Sequence, residues 1–309
     1  MQYIINGYTV LYYPFNTMRD GMIVALPEVH HPPKGVFMAI IDCRFRPLTP
    51  EFQMYTSPEP VNFWKTQTRP LSPEPLDVTM RYFERMGITG AVVAARDLRS
   101  QGSSYISDDY VAKLAEEYPV FIGVAGADPL NPSVEADIER AVHTLGLKGV
   151  SIDPFAYKTD AADKLFFPIY KKCEELNVPV IITLGPLPIG GGSLLEWGSP
   201  LPVDRVAAAF PSLKILMSHA SFPFTQELVA VVWRHENVYF ESSIYRHLPG
   251  ADLLVESVNS VIGDKMCYAS AYPYADYTQA LPKFLAQGYS ERVLPKILHE
   301  NAEKLFGLK

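Results

Sequence analysis

Short apolar runs alternate with amphipathic stretches along most of the chain. Apolar runs at 40–42, 90–95, 120–126, 149–152, 178–185, 215–219, 238–243 and 266–270 read as buried strands. Helical periodicity occupies 77–86, 134–145, 165–176, 203–210, 226–234, 277–288, 291–299 and 301–307. Strands that alternate with helices in this way imply parallel βαβ units, and about eight of them imply a closed (β/α)8 TIM barrel. A doubly wound open sheet is the alternative, but no GxGxxG follows any of the strands.

The first 37 residues break this rhythm. Apolar stretches at 3–6 and 8–13 flank Asn6-Gly7, a favoured two-residue hairpin turn. A third strand is expected at 22–26, with Pro32-Pro33 as the exit. The pattern predicts an N-terminal β-hairpin extension over 1–37 and a barrel domain over 38–309, with Met38 as an alternative start. After Arg46 comes a long proline-rich stretch carrying Phe52, Tyr55, Phe63 and Trp64, which reads as an aromatic lid.

Composition narrows the function. A chain of 309 residues, 48% hydrophobic, is long enough to bury one large core. A net charge of −7 argues against nucleic acid or an anionic membrane surface as partner. The three cysteines, Cys43, Cys173 and Cys267, form no CxxC or zinc-type spacing, which fits a reducing, cytoplasmic setting. No apolar run approaches the roughly 18–20 residues of a membrane span, and no secretion signal opens the chain. The expected ligand is small.

The candidate chemistry centres on residues 40–47, Ile-Ile-Asp-Cys-Arg-Phe-Arg-Pro. Alternate residues of a strand share a face, so Arg44 and Arg46 are expected together at the carboxyl end of the first strand, the reaction mouth of a barrel. Two adjacent guanidinium groups make an anion site; salt bridges to Asp42 or Asp153 are the plainer reading. His219 ends a buried strand and suits general acid–base work, or packs as a structural group. Asp153 and Glu241 are candidate inward carboxylates, although Asp153 before proline also fits a turn. Arg96 is placed to meet a substrate carboxylate, or to pair with Asp97. Trp197, Tyr245 and Tyr272 are candidate ligand walls, with Tyr274, Arg246 and His247 on the same loops. Gly190-Gly-Gly lacks the Lys-Ser/Thr of a phosphate loop. Cys43 is expected to be a buried structural thiol turned away from the arginines.

The runs Phe121-Ile-Gly-Val-Ala-Gly-Ala-Asp-Pro, Gly146-Leu-Lys-Gly-Val, Phe210-Pro-Ser-Leu-Lys-Ile, Asn237-Val-Tyr and Glu300-Asn-Ala-Glu-Lys-Leu-Phe-Gly-Leu resemble the amidohydrolase-related family that contains aminocarboxymuconate-semialdehyde decarboxylase. That resemblance covers residues from about 39 to 309 and implies the barrel, a hydrolase or lyase activity and a homodimer. It also implies a divalent ion held by two histidines after strand one, a strand-five histidine or strand-four acid, a strand-six histidine and a strand-eight aspartate. Here those positions hold Arg44, Arg46, Thr183, His219 and Ala271. Arginine and alanine offer no lone pair to a metal. The expectation is therefore an enzyme with no metal and no cofactor that acts on a small organic acid or lactone. In it Arg44, Arg46, His219 and Asp153 carry the chemistry, and Arg96, Thr183, Trp197, Glu241, Tyr245 and Tyr272 contact substrate. The alternatives are a barrel that has lost catalysis and serves as a binding or regulatory protein, and a metal moved to Asp153, His219 and His247.

Overall fold

Strand β3, Ile40–Asp42, is buried along its whole length and begins the main sheet. In the computed structural model the described residues are 2–5, 8–11, 39–53, 73–186, 194–275 and 277–308. Residues 1–38 and 39–309 form two compact units. In the first, β1 (Gln2–Ile5) and β2 (Tyr8–Leu11) pair antiparallel, with Ile5 opposite Tyr8. The expected third strand at 22–26, Pro32-Pro33, the lid aromatics Tyr55, Phe63 and Trp64, and Gly190 lie outside the described residues.

In the second unit, α1 (Pro50–Gln53) and α2 (Leu76–Met86) lead into β4 (Ile88–Ala94). A small antiparallel pair follows, β5 (Arg96–Asp97) with β6 (Tyr105–Ile106), then α3 (Asp108–Glu117) and β7 (Phe121–Gly126). The apolar pattern names neither this pair nor α3, whose start is fixed by Ser107 accepting the Tyr110 N–H at 3.2 Å. Then come α4 (Val134–His143), β8 (Val150–Ile152), α5 (Phe167–Glu175), β9 (Val180–Thr183), α6 (Leu201–Ala209), β10 (Ile215–Ser218), α7 (Thr225–Arg234) and β11 (Val238–Phe240). Helices α8 (Ala251–Ser257), α9 (Tyr277–Leu285) and α10 (Asn301–Phe306) complete the chain. Among the described residues no helix is long and apolar enough to cross a membrane.

The parallel sheet runs β11-β10-β9-β8-β7-β4-β3. An eighth segment closes it, because Met266 bridges Phe240 on one side and Tyr272 bridges Phe45 on the other. The expected strand at 266–270 is thus an irregular closing segment. Its ladder is interrupted where the Ser270 N–H goes to the Asp42 carboxylate instead of a main-chain carbonyl.

Inside the barrel, Ile41, Val92, Val124, Ile181, Leu216, Tyr239 and Cys267 pack into one cluster with Leu305 and Phe306 of α10. Gly149, just before β8, is close enough to this plug that a Cβ there would lie 3.7 Å from Phe306. The last helix therefore seals the end where strands begin, and the polar chemistry collects where they finish.

Candidate active site

At the first strand, Asp42 Oδ1 accepts the N–H of Arg44 (3.0 Å) and of Ser270 (2.9 Å). One carboxylate ties the opening strand to the closing segment and sets the backbone from which Arg44 departs. Burial pushes this carboxyl up to about 6 against the pull of those donors. Cys43 packs in the interior beside Cys267, and that contact, with burial, raises its thiol well above the ordinary value.

The Arg44 side chain is only 6% exposed. Its Nη2 donates to Thr183 Oγ1 at 3.4 Å. Strands β3 and β9 stand four places apart in the sheet, so the guanidinium reaches across the mouth. Its Nε has no hydrogen-bond acceptor among the described residues. Burial, then the charge of Arg46, lowers its pKa to about 9, while Asp153 and Glu241 oppose the shift. The group stays cationic at neutral pH. A buried donor left unmade costs about 1–3 kcal/mol, more when charged, so an acceptor arriving here is strongly favoured.

Arg96 Nε pairs with Asp153 Oδ2 at 2.7 Å, both largely buried. Burial would raise the Asp153 carboxyl, but the charges of Arg96 and Arg44, the Thr183 hydroxyl and Arg46 outweigh it and hold it below the usual range. Asp97 instead takes Arg99, at 2.6 and 2.9 Å, so Arg96 and Asp97 do not form the neighbouring pair. Arg46 is half-buried with its guanidinium 5.9 Å from the Tyr274 ring centre. Its charge is felt at Arg44, Asp153 and His219.

Across the mouth, Glu241 is fully buried. Its Oε1 accepts Ser218 Oγ–H (2.5 Å) and the His219 N–H (2.8 Å), and its Oε2 accepts the Ser243 N–H (2.6 Å). Burial would raise this carboxyl; His219 and the donors from Ser218 and Ser243 hold it low. His219 Nδ1 lies 2.9 Å from Ser243 Oγ and 3.3 Å from the Ser243 carbonyl. Burial, reinforced by Arg44 and Arg46 and opposed by Glu241, lowers the imidazole to about 4, so it is neutral at neutral pH. His219, Ile244 and Ala271 all adopt left-handed backbone, φ 61°, 70° and 57°. Such residues cost about 1–3 kcal/mol each and concentrate at functional sites.

The remaining candidates fall in different places. Tyr245 is buried with its ring edge-on to His219 at 6.2 Å. Tyr272 stacks on Phe45 and donates its phenol to Glu74 at 3.3 Å. Trp197 is half-buried on the turn Leu195–Gly198, which Gly185 holds through its N–H to the Gly198 carbonyl at 3.0 Å. Arg246 donates to the carbonyls of Ala269 and Ala280, and His247 is exposed. Sequence reasoning offered Asp42 only as a salt-bridge partner for the arginines, whereas it accepts main-chain N–H groups, and assigned no role to Ser218, Ser243 or Ser270. The pairing of Met217 with Phe240 sets Ser218 beside Glu241, a signal available only once the strands are aligned.

The divalent ion implied by the family resemblance does not fit these residues. Arg44, Arg46 and Ala271 present no lone pair, and among the described residues no group of three His, Cys, Asp or Glu is placed to share an ion. The relocated set of Asp153, His219 and His247 is not assembled either.

Among solved structures, an uncharacterized TIM-barrel protein from Bordetella bronchiseptica superposes with a TM-score of 0.76 at 28% identity, covering 87% of this chain and 99% of that one. A dihydroxybenzoic acid decarboxylase from Polaromonas sp. JS666, with bound manganese and the inhibitor 2-nitroresorcinol, shares the fold at TM-score 0.65 and 19% identity, covering 87% and 97%. A 2-amino-3-carboxymuconate-6-semialdehyde decarboxylase from Dictyostelium discoideum is 28% identical over 138 residues, which span only 38% of each chain. The amidohydrolase family model matches residues 41–308, nearly the whole barrel unit, and the chain belongs to that family.

Proposed function

We propose that this protein is an amidohydrolase-fold enzyme, a hydrolase or a lyase such as a decarboxylase, acting on a small carboxylate-bearing acid or lactone, with fixed guanidinium groups in place of a metal ion. The observation that carries the reading is Arg44: a buried cation whose Nε lacks an acceptor, aimed across the mouth. A carboxylate or a developing oxyanion supplies that acceptor, and charge-assisted bonds of this kind are the strong ones. Arg46 adds a second positive charge. Asp153, held ionised, orients Arg96 and is a poor proton donor.

His219 moves the proton. As a neutral imidazole it takes one from water attacking a lactone or ester carbonyl. In decarboxylation the carbon–carbon bond breaks, carbon dioxide leaves, and the carbanion collects a proton from the imidazolium. Burial chiefly depresses the His219 pKa, and an anion between the arginines cancels the part of the shift that their positive field adds, raising it. The Polaromonas and Dictyostelium relatives, a dihydroxybenzoic acid decarboxylase and a 2-amino-3-carboxymuconate-6-semialdehyde decarboxylase, support this substrate class.

The test is turnover across a panel of aromatic and unsaturated carboxylic acids, esters and lactones, with and without a chelator. Turnover that chelation leaves unchanged and Arg44→Met abolishes is expected. Stoichiometric zinc or manganese binding that is lost in His219→Ala would overturn the metal-free reading. Carboxylate binding without turnover of any compound would make the protein a binding barrel.

A further inference from the structure

His219 has two ring nitrogens, and its surroundings distinguish them. Three oxygens face Nδ1: Ser243 Oγ at 2.9 Å, the Ser243 carbonyl at 3.3 Å and Glu241 Oε1 at 3.7 Å. A carbonyl and a carboxylate can only accept, and the hydroxyl can do either. A lone pair on Nδ1 would therefore confront at least two other lone pairs, whereas an Nδ1–H has the Ser243 hydroxyl and carbonyl within hydrogen-bond reach. These contacts favour a neutral ring with its proton on Nδ1 and its lone pair on Nε2.

Glu241 holds this arrangement through the main chain. Its two oxygens take the N–H of His219 and the N–H of Ser243, one each, with Ser218 Oγ–H bracing the first. These amides belong to the segments that carry the imidazole and its Nδ1 partner. Fixing both on one carboxylate fixes the ring's position and the left-handed turn at His219. Serine and glutamate meet the same nitrogen, so the group is not a nucleophile–base–acid triad, which needs one partner on each nitrogen.

We propose that Glu241 is a positioning residue which, through the backbone of His219 and Ser243, locks His219 as the Nδ1–H tautomer and leaves the Nε2 lone pair for the reacting proton. The inference rests on His219 as the proton-moving group, but its first test needs no substrate. In protein labelled with ¹⁵N-histidine, the His219 ring shifts at neutral pH should be those of a protonated Nδ1 and a bare Nε2. Glu241→Gln places an amide among three donors, and mixed tautomers are expected. With the substrate found by the panel, kcat should fall roughly tenfold or more with little change in KM, and the basic-form limb of the pH–rate profile should move. Ser243→Ala, which keeps the backbone amide, should give a smaller tautomer shift, and decides the matter if Glu241→Gln does not fold.

A wild-type ring protonated on Nε2 overturns the proposal. So does a Glu241→Gln protein with unchanged shifts and unchanged kcat. Arg44→Met, tested separately for benzoate affinity, probes the anion site alone, so failure of either reading can be told from failure of the other.

Discussion

The two sides of the mouth solve the burial of charge in opposite ways. On the side of β10 and β11, Glu241 is surrounded by short hydrogen bonds from Ser218, His219 and Ser243. On the side of β3, Arg44 is nearly as buried but holds one long bond to Thr183 and an Nε without an acceptor. A satisfied network stabilises the fold; an unsatisfied one stores a cost that an incoming group can relieve. The contrast separates a carboxylate whose bonds build the mouth from a guanidinium that keeps a buried donor unmet.

Breaking the satisfied side should have the largest effect. Glu241→Ala strands three buried donors, each costing about 1–3 kcal/mol, and should lower the unfolding free energy by several kcal/mol in urea titration. Arg44→Met, on the other side, should weaken benzoate binding by about 1.5–3 kcal/mol, roughly 10- to 150-fold by calorimetry, while leaving the melting temperature unchanged or higher. Equal stability losses in the two variants would erase the contrast.

A third test uses pH. The Asp42 carboxyl is raised to about 6 in the folded chain, so between pH 4 and 6 the folded state binds more protons than the unfolded one. Its contribution therefore strengthens the fold as pH falls through 6 and is fully present only below the unfolded value. Asp153 and Glu241, held low, act the other way and lose their contribution only at more acid pH. Replacing Asp42 by Asn should flatten the stability profile between pH 4 and 6 by roughly 1–3 kcal/mol, read from denaturant midpoints. The smallest effect is expected from Tyr272→Phe. Its phenol bonds Glu74, so the loss should be about 1 kcal/mol or less of stability, with benzoate affinity unchanged.

The barrel was legible because its strands are buried on both faces and read as continuous apolar runs, as in Val180–Thr183 and Ile215–Ser218. What the pattern missed are the places where side chains replace main-chain bonding. Strand β11 stops at Phe240, not at residue 243, where the Glu241 carboxylate captures the N–H of Ser243; the closing segment is irregular where Asp42 captures that of Ser270. Apolar periodicity carries no record of such captures. The site was legible in part: Arg44, Arg96 and Asp153 could be placed at the mouth from strand ends, and Thr183 through the family resemblance. The partners of Arg96 and Tyr272 could not, because Asp153 and Glu74 are distant in sequence and chosen by three-dimensional proximity.

The Asp42 carboxylate holds the peptide N–H of residue 44 and takes no part in that residue's side chain. Whatever head group stands at 44, the peptide frame beneath it keeps the same anchor and the barrel keeps the same seam. A different head group can therefore be set at this spot without rebuilding the scaffold, and a protein engineer can attempt Arg44→His on those terms.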